Sequence, residues 1–173
     1  MNGLAIFLAL FFAGQGSPAH SGMTRTALAT VEKDFDGRLT RVNTPDSFDL
    51  LGPTRGVYLE GYGVVFSAEV NLVVTPNLSP FHQQFTKAEI ERWHERKLQR
   101  LPLLKQNMRA MLAASAASLE NLPPSEQVVV AVTLFRYAWE DSSGVPSQIV
   151  MQAERQKLLG NATRESAIHT VEF

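Results

Sequence analysis

The sequence predicts an α+β fold. It reads as a two-layer domain in which an antiparallel four-stranded sheet, in ββαββ order, is covered by one long kinked helix, with an additional N-terminal helix. Three observations carry this. Phe66, Ala68, Val70, Leu72 and Val74 alternate with Ser67, Glu69 and Asn71, the period of a strand with one buried face. From Thr86 to Asn121 apolar residues recur at helical spacing behind Thr86-Lys-Ala-Glu89, which has the form of a capping box. Gln127 to Trp139 opens with Val128-Val-Val-Ala-Val132, apolar on both faces and rich in β-branched residues, as a central strand is.

In chain order, Leu4 to Ala13 is wholly apolar and Met1 to Ala13 carries no charged side chain. Small residues follow, and Ser17-Pro-Ala19 places them at the −3 and −1 positions of a cleavage site. Residues 1–19 therefore read as a secretory signal peptide. The run is shorter than the roughly 20 residues that a bilayer span needs. Residues 20–159 form the single expected α+β domain. Its first helix runs from Met23 to Leu39, where Ala27, Leu28, Val31, Phe35 and Leu39 share a face. Asn43-Thr-Pro-Asp46 and Leu51-Gly-Pro-Thr54 read as turns. Arg55 to Leu59 and Val64 to Val74 read as a hairpin about Gly61-Tyr-Gly63, since glycine tolerates the positive φ of a tight turn.

In the long helix, Ile90, Trp93, Lys97, Leu101, Leu104, Met108, Met111, Ser115 and Leu119 keep one stripe. Pro102 lies inside it. The stripe holds its phase across the proline, which favours one kinked helix over two. The second hairpin pairs the 127–139 strand with Ser147 to Leu159, where Ile149, Met151 and Ala153 face inward. The charged Glu154-Arg-Gln-Lys157 gives that strand the look of a sheet edge. Residues 160–173 read as a polar C-terminal tail.

Composition excludes more than it names. The chain has 173 residues, 45% of them hydrophobic and 19% charged, which suits one folded domain. Formal net charge is −1 with the two signs interspersed, so no basic face marks a nucleic-acid partner. There is no cysteine, which rules out disulfides, thiol catalysis and thiolate metal sites.

Candidate chemistry is sparse. His82, His94 and His169 are far apart beyond the signal. His94-Glu95 begins like a zinc-protease helix, but Leu98 stands where the second histidine is required. Asp141-Ser-Ser-Gly144 is ordinary turn chemistry, and no Gly-x-Ser-x-Gly elbow occurs. Glycines 52, 56, 61 and 63 lie between strands, where no helix N-terminus cradles a phosphate. Tyr58, Tyr62, Tyr137 and Trp139 are candidates for an aromatic patch on one sheet face. No residue is assigned as catalytic, cofactor-binding or metal-ligating, and no cofactor is expected.

The expectation is therefore an exported protein, periplasmic or extracellular, without a stable membrane span in its mature chain. It would be a non-enzymatic module that binds a cell-envelope protein partner, associates with itself, or serves as an assembly component. The rival is a secreted hydrolase-type enzyme whose site assembles from His82, His94, Glu69 and Asp141. A histidine within hydrogen-bond reach of a carboxylate, in an open pocket, would distinguish them.

Overall fold

The computed structural model describes residues 22–41, 47–76, 85–160 and 164–173. The expected signal peptide, residues 1–19, lies outside them. The elements in order are α1 (Arg25–Thr40), β1 (Asp49–Leu50), β2 (Arg55–Leu59), β3 (Gly63–Asn71), α2 (Lys87–Ser118), β4 (Gln127–Leu134), β5 (Gln148–Glu154), α3 (Arg155–Leu159), α4 (Arg164–Ala167) and β6 (His169–Glu172).

The sheet is mixed and has six strands, not four antiparallel ones. β3, β4, β5 and β6 lie side by side, and β1 and β2 both pair with the other edge of β3. The β3–β4 pair is parallel, with Val64 opposite Val128 and Val70 opposite Leu134; every other pair is antiparallel. The parallel pair follows from α2. Its 32 residues at about 1.5 Å each return the chain along the whole sheet before β4 begins, so β4 starts from the same end as β3. Two sequence hairpins joined by a helix become one βαβ crossover with antiparallel strands added outside it.

The apolar alternation holds where the structure tests it. Val64, Phe66 and Val70 of β3, Val128, Val130, Val132 and Leu134 of β4, and Ile149, Met151 and Ala153 of β5 all point to one face. There they join one buried cluster with Leu28, Val31, Phe35 and Leu39 of α1 and Leu101, Leu104, Met108, Met111 and Leu112 of α2. β3 ends at Asn71, earlier than Val74, which is 70% exposed. Residues 155–159, read as strand, form α3 instead. β5 is thus interior, and the edge is β6, drawn from the stretch read as a tail.

Local signals explain the ends of the elements. The capping box is present: the Thr86 hydroxyl accepts from the Glu89 N–H, and the Glu89 carboxylate accepts from the Thr86 N–H at 2.9 Å. α2 runs through Pro102 without a break, with buried residues on both sides of it. Pro102 itself is exposed, so the backbone carbonyl it leaves unpaired is on the wet side of the helix. No basic residue of α2 stands in its last turn. Arg155, from α3, supplies the missing cation: its guanidinium donates to the carbonyls of Ala116 (3.0 Å) and Leu122 (3.1 Å). Gly63 has φ +138°, and a Cβ there would stand 2.0 Å from the Gln127 carbonyl oxygen, so only glycine lets β3 start beside β4.

Glu32 fastens α1 to the sheet edge. Its carboxylate takes both arms of the Arg25 guanidinium, at 2.7 and 2.5 Å, and the Gly56 N–H at 2.6 Å. Arg25 also donates to the Gly56 carbonyl at 3.3 Å. One turn on, Asp36 accepts from the Thr54 N–H at 2.8 Å. Position 56 needs glycine for this approach, because a Cβ there would stand 2.6 Å from the Phe66 ring and 3.3 Å from the Glu32 carboxylate.

Candidate functional site

His94 and Asp141 are the two sequence candidates that the fold brings together. His94 Nδ1 is 3.1 Å from the backbone carbonyl of Asp141, not from its carboxylate. Bonded to a carbonyl, Nδ1 is the protonated nitrogen of the ring. The Asp141 carboxylate accepts instead from the Ser143 N–H (2.9 Å) and the Ser143 hydroxyl (2.7 Å). Those two bonds hold its pKa below the ordinary carboxylate range. Trp93, Trp139 and Glu140 surround His94, which is half-buried. Glu69 lies on the opposite side of the sheet, in the turned-out set with Ser67 and Thr133, and His169 is exposed on β6. His82 lies outside the described residues. Among the described residues no three histidine or carboxylate side chains are placed to share a metal ion.

The buried polar feature beside His94 is Lys97 with Glu140. Their charged atoms are 2.5 Å apart and both side chains are 5% exposed. Glu140 also accepts from the Thr75 hydroxyl at 2.9 Å and the Tyr137 N–H at 3.2 Å. One carboxylate therefore ties α2, the segment leaving β3 and the β4–β5 connection. Sequence spacing placed Lys97 on the apolar stripe, which is where it sits. Its partner 43 residues away left no sequence signal.

Around this pair runs a chain of aromatic rings. Phe85, Trp93 and Trp139 meet with centroids 4.6 to 5.6 Å apart; Tyr137 stacks on Trp139 at 5.6 Å and 11°, and Phe135 meets Tyr137 edge-on at 5.0 Å. The aromatic patch expected from Tyr58, Tyr62, Tyr137 and Trp139 does not form as a unit. Tyr58 is on the helix side, bonded to Glu126 at 3.3 Å, and burial raises its phenol pKa, helped by that carboxylate. Tyr62 is on the other side.

That other side is the open face of the sheet. In register across the strands it carries Val57, Val65, Val129, Gln152 and His169 in one row, and Arg55, Ser67, Ala131, Val150 and Val171 in the next. The apolar run of β4 predicted cover on both faces. On this face, among the described residues, the Tyr62 hydroxyl reaches Gln152 Oε1 at 3.3 Å, and Gln152 lies in register beside Val129, which is 4% exposed. Val57 (55% exposed), Leu59 (48%) and Tyr62 (44%) remain open beside it.

The face is indented at one margin. β1 and β2 are a single strand broken at residues 51–54: Leu50 pairs with Val70 and Arg55 with Ser67, so two extra residues loop out. The break opens a shallow cleft of about 340 Å³ between Leu51, Pro53, Arg55, Ser67, Glu69 and Thr133. Its lining holds no histidine; Thr133 stands opposite Glu69 in register, and its hydroxyl accepts from the Gln148 amide at 3.3 Å.

Fold and site together define a mixed α+β structure in which, among the described residues, the long helices pack on one face of a six-stranded sheet and no element covers the other. Comparison with protein-family models, with curated proteins and with solved structures gives no match.

Proposed function

We propose that this chain is an exported, non-enzymatic module that binds a protein of the cell envelope, or holds a place in an envelope assembly, through the bare face of its sheet. The observation that carries this is that face: Val57, Leu59 and Tyr62 stand open around Val65, with Val150 and Val171 in the adjoining row and Arg55, Glu69, Gln148 and Gln152 at the margins. An aromatic and β-branched centre with a polar rim is the make-up of a protein-binding surface. The position of His94 supports the same choice over a hydrolase, because the hydrogen bond that holds its ring goes to the Asp141 backbone carbonyl and not to its carboxylate. Export is supported by the uncharged apolar run ahead of Ser17-Pro-Ala19.

The test is site-specific photocrosslinking in cells that make the protein. A photoreactive residue at Val57 or Val150 should give one discrete adduct with an envelope protein, and the same residue at Gln106, exposed on α2, should not. N-terminal sequencing of the adduct should begin near His20. Intact Met1 on cytoplasmic protein, or equal labelling from the face and from Gln106, would overturn the proposal.

A further inference from the structure

The two edges of the sheet are treated differently. At β2 the outward N–H and C=O of Gly56 are occupied by Glu32 and Arg25, and the Thr54 N–H is taken by Asp36. An incoming strand finds that edge stoppered by three side chains of α1. At β6 nothing comparable exists among the described residues. Phe173 turns both its backbone groups toward β5, donating to Gln148 and accepting from Ser147. By the two-residue alternation of a strand, Thr170 and Glu172 then turn theirs outward. Among the described residues no backbone or side-chain group bonds to those outward positions, and no element flanks β6 on that side.

We infer that β6 pairs antiparallel with β6 of a second copy of this chain, about a two-fold axis at Val171, and so joins two sheets into one. Four features favour a second copy as occupant. With the axis at Val171, Thr170 faces Glu172 of the partner, and these are the residues whose backbone groups point outward, so each pair exchanges both of its hydrogen bonds. Val171 meets its own counterpart in the close, non-hydrogen-bonded position. It does so on the bare face, where the row Ala131, Val150, Val171 runs on unbroken into the same row of the other copy. Charge permits the approach: on the helix side each Glu172 is already neutralised by its own Lys105 at 2.6 Å. Finally, the stoppered β2 edge prevents a head-to-tail β6–β2 contact, so association closes at two copies and does not run on into a fibre.

This pairing is carried by the backbone edge of β6, although Val171 at its axis also borders the face proposed for a partner. It is tested by sedimentation velocity over a concentration series on the mature chain. The parent should pass from the monomer to the dimer mass as concentration rises. Thr170→Pro removes an outward N–H and leaves the β5–β6 ladder intact, since that N–H takes no part in it. Val171→Lys sets two like charges against each other at the axis. Both variants should remain monomeric through the series, with circular dichroism unchanged. In the parent, hydrogen exchange at the Thr170 and Glu172 amides should slow as the dimer forms. If Thr170→Pro does not fold, Val171→Lys carries the test. A parent that stays monomeric at every concentration, or a dimer that survives Val171→Lys, overturns the inference. The crosslink expected at Val57, on β2 at the far side of the sheet, is read on the parent chain and separates a failure of this inference from a failure of the face proposal.

Discussion

At the scale of single residues, Glu32 shows how much one buried carboxylate can organise. It sits on the apolar face of α1, 7% exposed, between Leu28, Val31 and Phe35. Burial alone would raise its pKa. The Arg25 hydrogen bonds outweigh that, with the Gly56 N–H adding to them, and the net shift is downward. A carboxyl with a depressed folded pKa contributes stability that is fully present above its unfolded pKa, about 4.3, and that is lost as pH falls through the folded value. Glu32→Gln keeps the shape and removes the charge. It should be less stable than the parent at neutral pH by about 1–3 kcal/mol. The gap should narrow as acid protonates Glu32 in the parent. Denaturant midpoints measured down a pH series check this; a gap that stays constant to strongly acid pH would mean that the carboxylate is not what fastens α1 to Gly56.

At the scale of elements, periodicity explains both what was legible and what was not. The stripe of α2 predicted its buried residues on both sides of Pro102, because burial on a helix follows the 3.6 period whatever packs against it. The alternation of β3 and the apolar run of β4 likewise fixed which side chains face the helices. Direction and neighbour were not legible, since the same alternation serves a parallel or an antiparallel partner. That is why β3 and β4 read as members of separate hairpins. β6 was missed because His169-Thr-Val-Glu172 is short and half polar, and pairing with β5, not composition, makes it a strand. At the site, Lys97 and Glu140 are 43 positions apart, and no spacing rule reaches that far. The core face of β4 supplies the firmest test. Val132 is fully buried between Ala68 and Ile149 in register. Val132→Asp places an unpaired charge there and should cost several kcal/mol, enough to unfold a domain of ordinary stability at about 5–15 kcal/mol. Glu154→Ala loses only solvent-exposed contacts, with Lys157 and with the Gln156 amide, and should change stability little. Thermal melts of the two variants should therefore differ widely; matching melts would remove Val132 from the core.

At the scale of the whole molecule, the architecture sets an order of local stability. The β3–β4 parallel pair is the spine: each of its strands is bonded on both sides, and its core face is closed by α1 and α2. Outward from it protection declines unequally. β2 is held at its free edge by Arg25 and Glu32, whereas β1 has two residues and β6 has four with an open side. Opening free energies follow buried contact and shielded hydrogen bonds, so the amides of Val64 to Val70 and Val128 to Leu134 should exchange slowest, near the rate set by global unfolding. β2 and β5 should come next, and β1 and β6 should be fastest at concentrations where the chain is monomeric. Native-state hydrogen exchange read residue by residue decides it. A sheet of two separate hairpins under a helix would protect the β2–β3 and β4–β5 pairs alike and leave the β3 side of β4 no slower than its β5 side. Equal protection of Gly56 and Thr170 would likewise show that α1 does not stopper its edge. The expected asymmetry is what leaves one side of this domain finished and the other side available for pairing.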